Sequence, residues 1–220
     1  MKTTNHFTAT TFYNDFLDWL VRLEPFHSDN IEPPMTADQF YFLARMQFST
    51  ATRISETLKF TPADFDFDHR IVTIRDPKTN KGGVQKTTFF PFDVKPFEKF
   101  CSKFNQDQKL FDITRSTAWK YYKNTTILGG LKICGIKDVK IINDGWTHLL
   151  RSSCAILFED LGAKESLRDR KMRHAPRTMG QLYTKRDIQD VLDFEDEHLS
   201  VCPAKPVIDR SYALSCEVVE

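Results

Sequence analysis

Long apolar runs are missing from this chain of 220 residues. The longest cover only a few positions, far short of the ~20 that a membrane-crossing helix needs. No apolar stretch follows Lys2 in Met1-Lys2-Thr3-Thr4-Asn5-His6, so a signal peptide is not expected. Cysteine is scarce: Cys101, Cys134, Cys154, Cys202 and Cys216 contain no C-x-x-C pair, and their odd number argues against a closed disulfide set. A reduced, cytoplasmic compartment fits that usage. No Cys/His group has zinc spacing, and no G-x-x-x-x-G-K-[ST] loop is present to cradle ATP. An excess of one charge is lacking too. Lys+Arg number 31 and Asp+Glu 30, which excludes a histone-like polycation and leaves net charge silent about partners. Apolar residues at 40% and charged residues at 28% suit an ordinary folded domain, alone or with short extensions.

The balanced total hides local asymmetry. Between Ala163 and Arg186 stand Lys164, Arg168, Arg170, Lys171, Arg173, Arg177, Lys185 and Arg186 against Glu165 and Asp169. Residues 70–86 hold five basic residues and one acid, and residues 115–140 hold six and one. Residues 187–200 then carry six acids and no Lys or Arg. A charge run taken singly is usually a solvated face. Three basic stretches brought together would make a polyanion site.

Periodicity predicts mostly helices plus one hairpin. Phe12, Phe16, Trp19, Leu20 and Leu23 recur at helical spacing, and Pro25 and Pro33-Pro34 break the chain after them. Thr36 and Gln39 form a capping box that opens a helix carrying Phe40, Leu43, Ala44 and Phe48. Thr61-Pro62-Ala63-Asp64 starts a short helical turn. Residues 71–74 and 87–90 are expected as strands joined by the Pro77–Gly83 loop. Further helices are expected near 94–104, 116–134, 147–161, 166–172 and 187–199, with Gly135 and Gly162 as stops. In the last, Ile188, Val191, Leu192 and Leu199 form an apolar stripe opposite Asp187, Asp190, Asp193 and Asp196. Burial on its own domain and docking on a neighbouring subunit are both open to that stripe.

Several side chains have the chemistry to act on a phosphate. His148 and Arg151 are three apart, so both can face one object from one helix. Arg53, among the apolar positions Phe48, Ile54 and Leu58, is either in a structural ion pair with Glu56 or Asp64 or a fork for two phosphate oxygens. Lys78 and Lys81 sit on the hairpin loop as charged fingers. Tyr183 lies amid Arg173, Arg177, Lys185 and Arg186, a setting that favours its phenolate.

Arg53, Lys78, His148-x-x-Arg151, His174 and Tyr183, in that order, resemble the active-site signature of the tyrosine recombinase (phage integrase) family. Ala51-Thr52-Arg53-Ile54-Ser55-Glu56 looks like its first box, and residues 65–74 leading into Lys78 look like its strand and lysine turn. His174 lies 26 residues beyond His148, and Tyr183 nine beyond His174, intervals similar to those of the Xer-type branch. The likeness covers roughly residues 36–186. Departures are Ala51 for a usual glycine, Thr52 for a usual leucine, and Ser152-Ser153-Cys154 where His-Thr commonly follows the second arginine.

The resemblance implies a mainly α fold with a small antiparallel β-hairpin or sheet (α+β). It divides the chain into a short helical extension (1–35) without a full DNA-clamping domain, a catalytic domain (36–186), and a C-terminal helix and tail (187–220). It also implies breakage and rejoining of double-stranded DNA through a 3′-phosphotyrosyl link, with no metal and no nucleotide cofactor. Tyr183 would be the nucleophile, His148 the base, Arg53 and Arg151 the phosphate clamp, Lys78 the acid, and His174 a phosphate contact that helps seat the tyrosine. Lys81, Lys86, Arg173 and Arg177 would contact DNA. A homotetramer on DNA is expected, with exchange of the C-terminal helix as one option, in a cytoplasmic enzyme of prokaryotic, viral or plasmid origin. The rival readings are a type IB topoisomerase-like relaxing enzyme and a non-catalytic DNA-binding relative.

Overall fold

A computed structural model describes residues 6–22, 35–75, 77, 83–122, 134, 136, 146–174 and 187–202. Around one aromatic-rich core run a π-helical stretch (Thr11–Phe16) continuing into α1 (Leu17–Arg22), then α2 (Ala37–Thr50), α3 (Ile54–Thr57), β1 (Phe65–Asp66), β2 (Ile71–Arg75) and β3 (Val84–Thr88). α4 (Val94–Cys101), α5 (Arg115–Tyr122), α6 (Trp146–Asp160), α7 (Glu165–Met172) and α8 (Ile188–His198) follow. The chain is thus mostly helical with a small antiparallel sheet, as expected. No helix among the described residues is long and apolar enough to cross a membrane.

α2 is the central rod. Its start is fixed by the expected box: Gln39 N donates to Thr36 Oγ1 at 3.2 Å, and Thr36 N to Gln39 Oε1 at 3.1 Å. From Phe42 to Thr50 every residue is buried, polar ones included. Arg45 survives there because its Nε donates to Asp93 Oδ1 at 2.6 Å, and Tyr13 Oη donates to Asp93 Oδ2 at 2.9 Å. A buried charge needs such partners.

Residues 6–22 belong to the same core. Phe7, Phe12 and Phe16 are fully buried, Phe12 stacks on Phe48 with ring centroids 4.1 Å apart, and Phe7 N donates to Ser153 Oγ at 2.9 Å. The border drawn at residue 36 therefore does not separate two cores.

The sheet has three strands in the order β1-β2-β3, one more than the single hairpin expected. The third strand starts and stops earlier than its sequence suggests, pairing Arg75 with Val84 and ending at Ile71 opposite Thr88. Beyond the last pair, Phe89 N still donates to the Arg70 carbonyl at 3.3 Å, and the side chains of Phe89 and Phe90 are buried in the core.

α8 settles the alternative left open for the acidic helix. Val191, Leu192 and Leu199 are buried on the chain's own β3 and α7 face, and Phe194 meets Phe158 at 5.2 Å between centroids. Buried Glu195 accepts from Lys171 Nζ at 2.6 Å and Thr88 Oγ1 at 2.7 Å. Arg70 donates to Asp196 Oδ2 at 2.7 Å and to the Leu192 carbonyl at 3.3 Å. The stripe is thus covered in cis, and its charged flank is tied to the same chain.

Candidate active site

The site grows from the ends of two helices. A helix C-terminus leaves carbonyls without intrahelical donors and carries a partial negative charge. α2 ends at Ala51 and α7 at Arg173, both in left-handed conformation with φ 52° and 54°. Arg151, one turn into α6 and buried, bridges them: Nη1 donates to the Ala51 carbonyl and Nη2 to the Met172 carbonyl. A single guanidinium therefore joins segments 100 and 21 residues away from it. A rigid planar fork suits this task, and a lysine would satisfy it poorly.

The turn between α2 and α3 holds Arg53. It is fixed by a buried hydroxyl chain, Thr50 Oγ1 to Thr52 Oγ1 at 2.8 Å and Thr52 Oγ1 to Thr57 Oγ1 at 2.7 Å. Thr57 Oγ1 also donates to the Arg53 carbonyl at 3.1 Å. Thr52, a departure from the family pattern, is thus the middle link of this chain rather than a loss of packing.

Arg53 is the N-cap of α3, and Glu56 closes back on it. Arg53 N donates to Glu56 Oε2 at 2.8 Å and Arg53 Nη1 to Glu56 Oε1 at 2.9 Å. Of the two partners weighed for Arg53, Glu56 is the one it has; Asp64 pairs with Arg75 Nε at 2.9 Å. Glu56 takes a further partner, since Arg173 Nη2 donates to Oε2 at 2.7 Å. Arg173 Nη1 lies 3.5 Å from the Thr50 carbonyl.

Three guanidiniums and one carboxylate gather here, leaving an excess of positive charge. Burial, with Arg173 and Arg53 close by, pulls Arg151 down to about 9. Burial also pulls Arg173 down to about 10, with Glu56 opposing and Arg53 adding to the shift. Burial raises Glu56, but Arg173 and the donors of Arg53 outweigh it and hold the carboxyl below its ordinary range. Such a cluster gains from an incoming anion, because each cation destabilises the others until one arrives.

His148 is exposed on α6, one turn before Arg151. His174 follows Arg173 directly and is exposed; its backbone N–H donates to the Asp169 carbonyl at 2.9 Å, and Nδ1 lies 3.1 Å from Asp169 Oδ1. That contact orients the ring and turns Nε2 away from Asp169. Lys86 is exposed on β3. Arg173, expected among the DNA contacts, is buried and turned to Glu56. Lys78, Lys81, Arg177 and Tyr183 lie outside the described residues.

Sequence reasoning named Glu56 only as one candidate partner and missed both the pairing of Arg173 and the buried Lys171–Glu195 bridge. The three-residue spacing from Arg53 carried the signal for Glu56. Nothing local marks the other two, whose partners lie 117 and 24 residues away.

No family model and no curated protein matches the chain. Among solved structures it is similar to the Tn1549 transposon integrase in complex with transposon right end DNA, at 17% identity and a TM-score of 0.49. The match covers 84% of this chain and 63% of that one. A likeness this distant assigns no residue and no activity.

Proposed function

We propose that the chain is the catalytic part of a DNA-breaking and rejoining enzyme of the tyrosine recombinase kind. The observation that carries this is the convergence of three sequence boxes on one cationic cluster. Arg151 holds the turn before Arg53 and the helix end before His174, while Glu56 links Arg53 to Arg173. Their meeting supports the reading, because it gathers three guanidiniums from distant parts of the chain where a polyanion could be held.

The step follows from that charge. The Tyr183 phenol oxygen attacks the scissile phosphorus, and its proton passes to His148. The bond from phosphorus to tyrosyl oxygen forms as the bond to the 5′-oxygen breaks. Arg53 neutralises the non-bridging oxygens as charge builds on them, and buried Arg151, whose Nη atoms hold the Ala51 and Met172 carbonyls, adds its positive charge from behind. His174 hydrogen-bonds one of these oxygens. Lys78 gives a proton to the departing 5′-oxygen. Attack by a 5′-hydroxyl on the phosphotyrosine reverses the step, so rejoining needs no outside energy. Lys81, Lys86 and Arg177 supply phosphate contacts along the duplex.

Nicked DNA labelled on the strand piece 5′ of the scissile phosphate, the piece that keeps the phosphate on its 3′ end, provides the test. Wild-type protein should carry label through a denaturing gel, and Tyr183→Phe should not, while both bind the duplex alike. Label retained by Tyr183→Phe removes the nucleophile assignment, and no adduct with wild type removes the proposal. Exchange between two duplexes, rather than loss of supercoils from one, separates recombinase from relaxing enzyme.

A further inference from the structure

We infer that Arg173 is a positioning residue for Arg53: by taking a share of Glu56, it keeps the Arg53 guanidinium out of a two-oxygen grip and turned toward the scissile phosphate. The inference rests on the recombinase proposal above.

Two features of Arg173 lack any local reason. Its side chain is 2% exposed, so a cation is held out of water. Its Nε is buried without a hydrogen-bond partner. Desolvation and an unpaired donor together persist only where the surroundings impose them.

What imposes them is Glu56. Its Oε2 accepts from Arg53 N at 2.8 Å and from Arg173 Nη2 at 2.7 Å, while Oε1 accepts from Arg53 Nη1 at 2.9 Å. Arg53 is therefore gripped by one guanidinium nitrogen and by its backbone, not by a two-pronged fork. With Arg173 removed, Oε2 loses a cationic donor, and the carboxylate is set to close on the Arg53 guanidinium with both oxygens, the geometry such pairs favour. That closure would neutralise Arg53 and draw its fork off the substrate. Arg53 is one-fifth exposed at the side chain, so it has room to face either way.

Arg173→Gln keeps hydrogen-bonding atoms and removes the charge. Single-turnover cleavage should slow about 10- to 100-fold, less than the ~100- to 1,000-fold typical of deleting a direct donor to the reacting oxygen. DNA affinity should stay within about threefold of wild type, since a positioning role acts on the transition state. A methylphosphonate at the scissile position removes the charge that Arg53 must neutralise, so the defect should vanish on that substrate. Arg173→Lys should restore much of the rate on ordinary DNA.

Equal slowing on both substrates would mean a merely structural role and would overturn the inference. So would wild-type rates for Arg173→Gln on ordinary DNA. If Arg173→Gln does not fold, the double variant Glu56→Gln/Arg173→Gln removes both charges and is compared with Glu56→Gln alone. The added change should then cost less than about threefold, because no carboxylate remains to be shared; a larger loss overturns the inference. Adduct formation by wild type in the same assay separates a failure here from a failure of the recombinase proposal.

Discussion

Glu56 reports on the charge balance around Arg53 at the scale of one residue. Its carboxyl is held below the ordinary range, against burial, by Arg173 and by the donors of Arg53. The unfolded chain would bind its proton at about pH 4.3. The native state therefore binds fewer protons than the unfolded one between that value and the lower folded one. The stability from Glu56 is full above pH ~4.3 and drains as pH falls through the folded value. Denaturant unfolding followed from pH 6 to pH 3 should show this loss, and Glu56→Gln should flatten part of the slope. An unchanged slope would mean the arginines do not stabilise the ionised form. At this scale the sequence was informative where the spacing is short: Glu56, three residues from Arg53, was one of its two candidate partners and is the one it has. It was silent on Arg173, because a buried pair closing a gap of 117 residues leaves no local mark.

α8 shows how far an element can be understood from its own pattern. The stripe of Val191, Leu192 and Leu199 was legible; its destination was not, since an apolar face says only that something covers it. The answer lies in Glu195, whose buried carboxylate meets Lys171 and Thr88. Burial raises this carboxyl, with Lys171 opposing. Truncation after Arg186 would strand Lys171, only 1% exposed, without its counter-charge. Breaking a buried pair from one side costs about 3–5 kcal/mol, before counting the uncovered apolar surface. Against a typical margin of about 5–15 kcal/mol, the shortened chain should lose its cooperative thermal transition rather than fold and merely fail to assemble. Circular dichroism melting of the two lengths decides this. A truncated chain that melts like the full one would show that the α8 contacts add little. Replacing both members, Lys171→Met with Glu195→Leu, should instead leave a folded protein. The early end of β3 was likewise hidden, because Phe89 and Phe90 read by pattern as strand residues whether they extend a ladder or fill the core.

The described residues share one core, and the N-terminal helix is part of it. Removing residues 1–22 would delete Phe7, Phe12 and Phe16 and leave Asp93 without the Tyr13 hydroxyl. Each buried phenylalanine lost costs roughly 3–5 kcal/mol. The deletion should therefore yield insoluble protein, whereas removing only residues 1–5 should leave the melting temperature within a few degrees; a soluble, cooperatively melting 23–220 chain would contradict this. Helical content and the position of the hairpin were legible from periodicity, but the sharing of one core by both sides of residue 36 was not, because a run of prolines looks like a border whether or not the flanking elements pack together. The contacts that hold these elements together join residues 51 and 151, 56 and 173, and 88 and 195, across 100, 117 and 107 positions. Closing such long loops is slow and comes late in folding. On the ribosome, Lys171 and Thr88 wait without their carboxylate until Glu195 has emerged from the exit tunnel, so a chain stalled before α8 carries a cation with nothing to answer it.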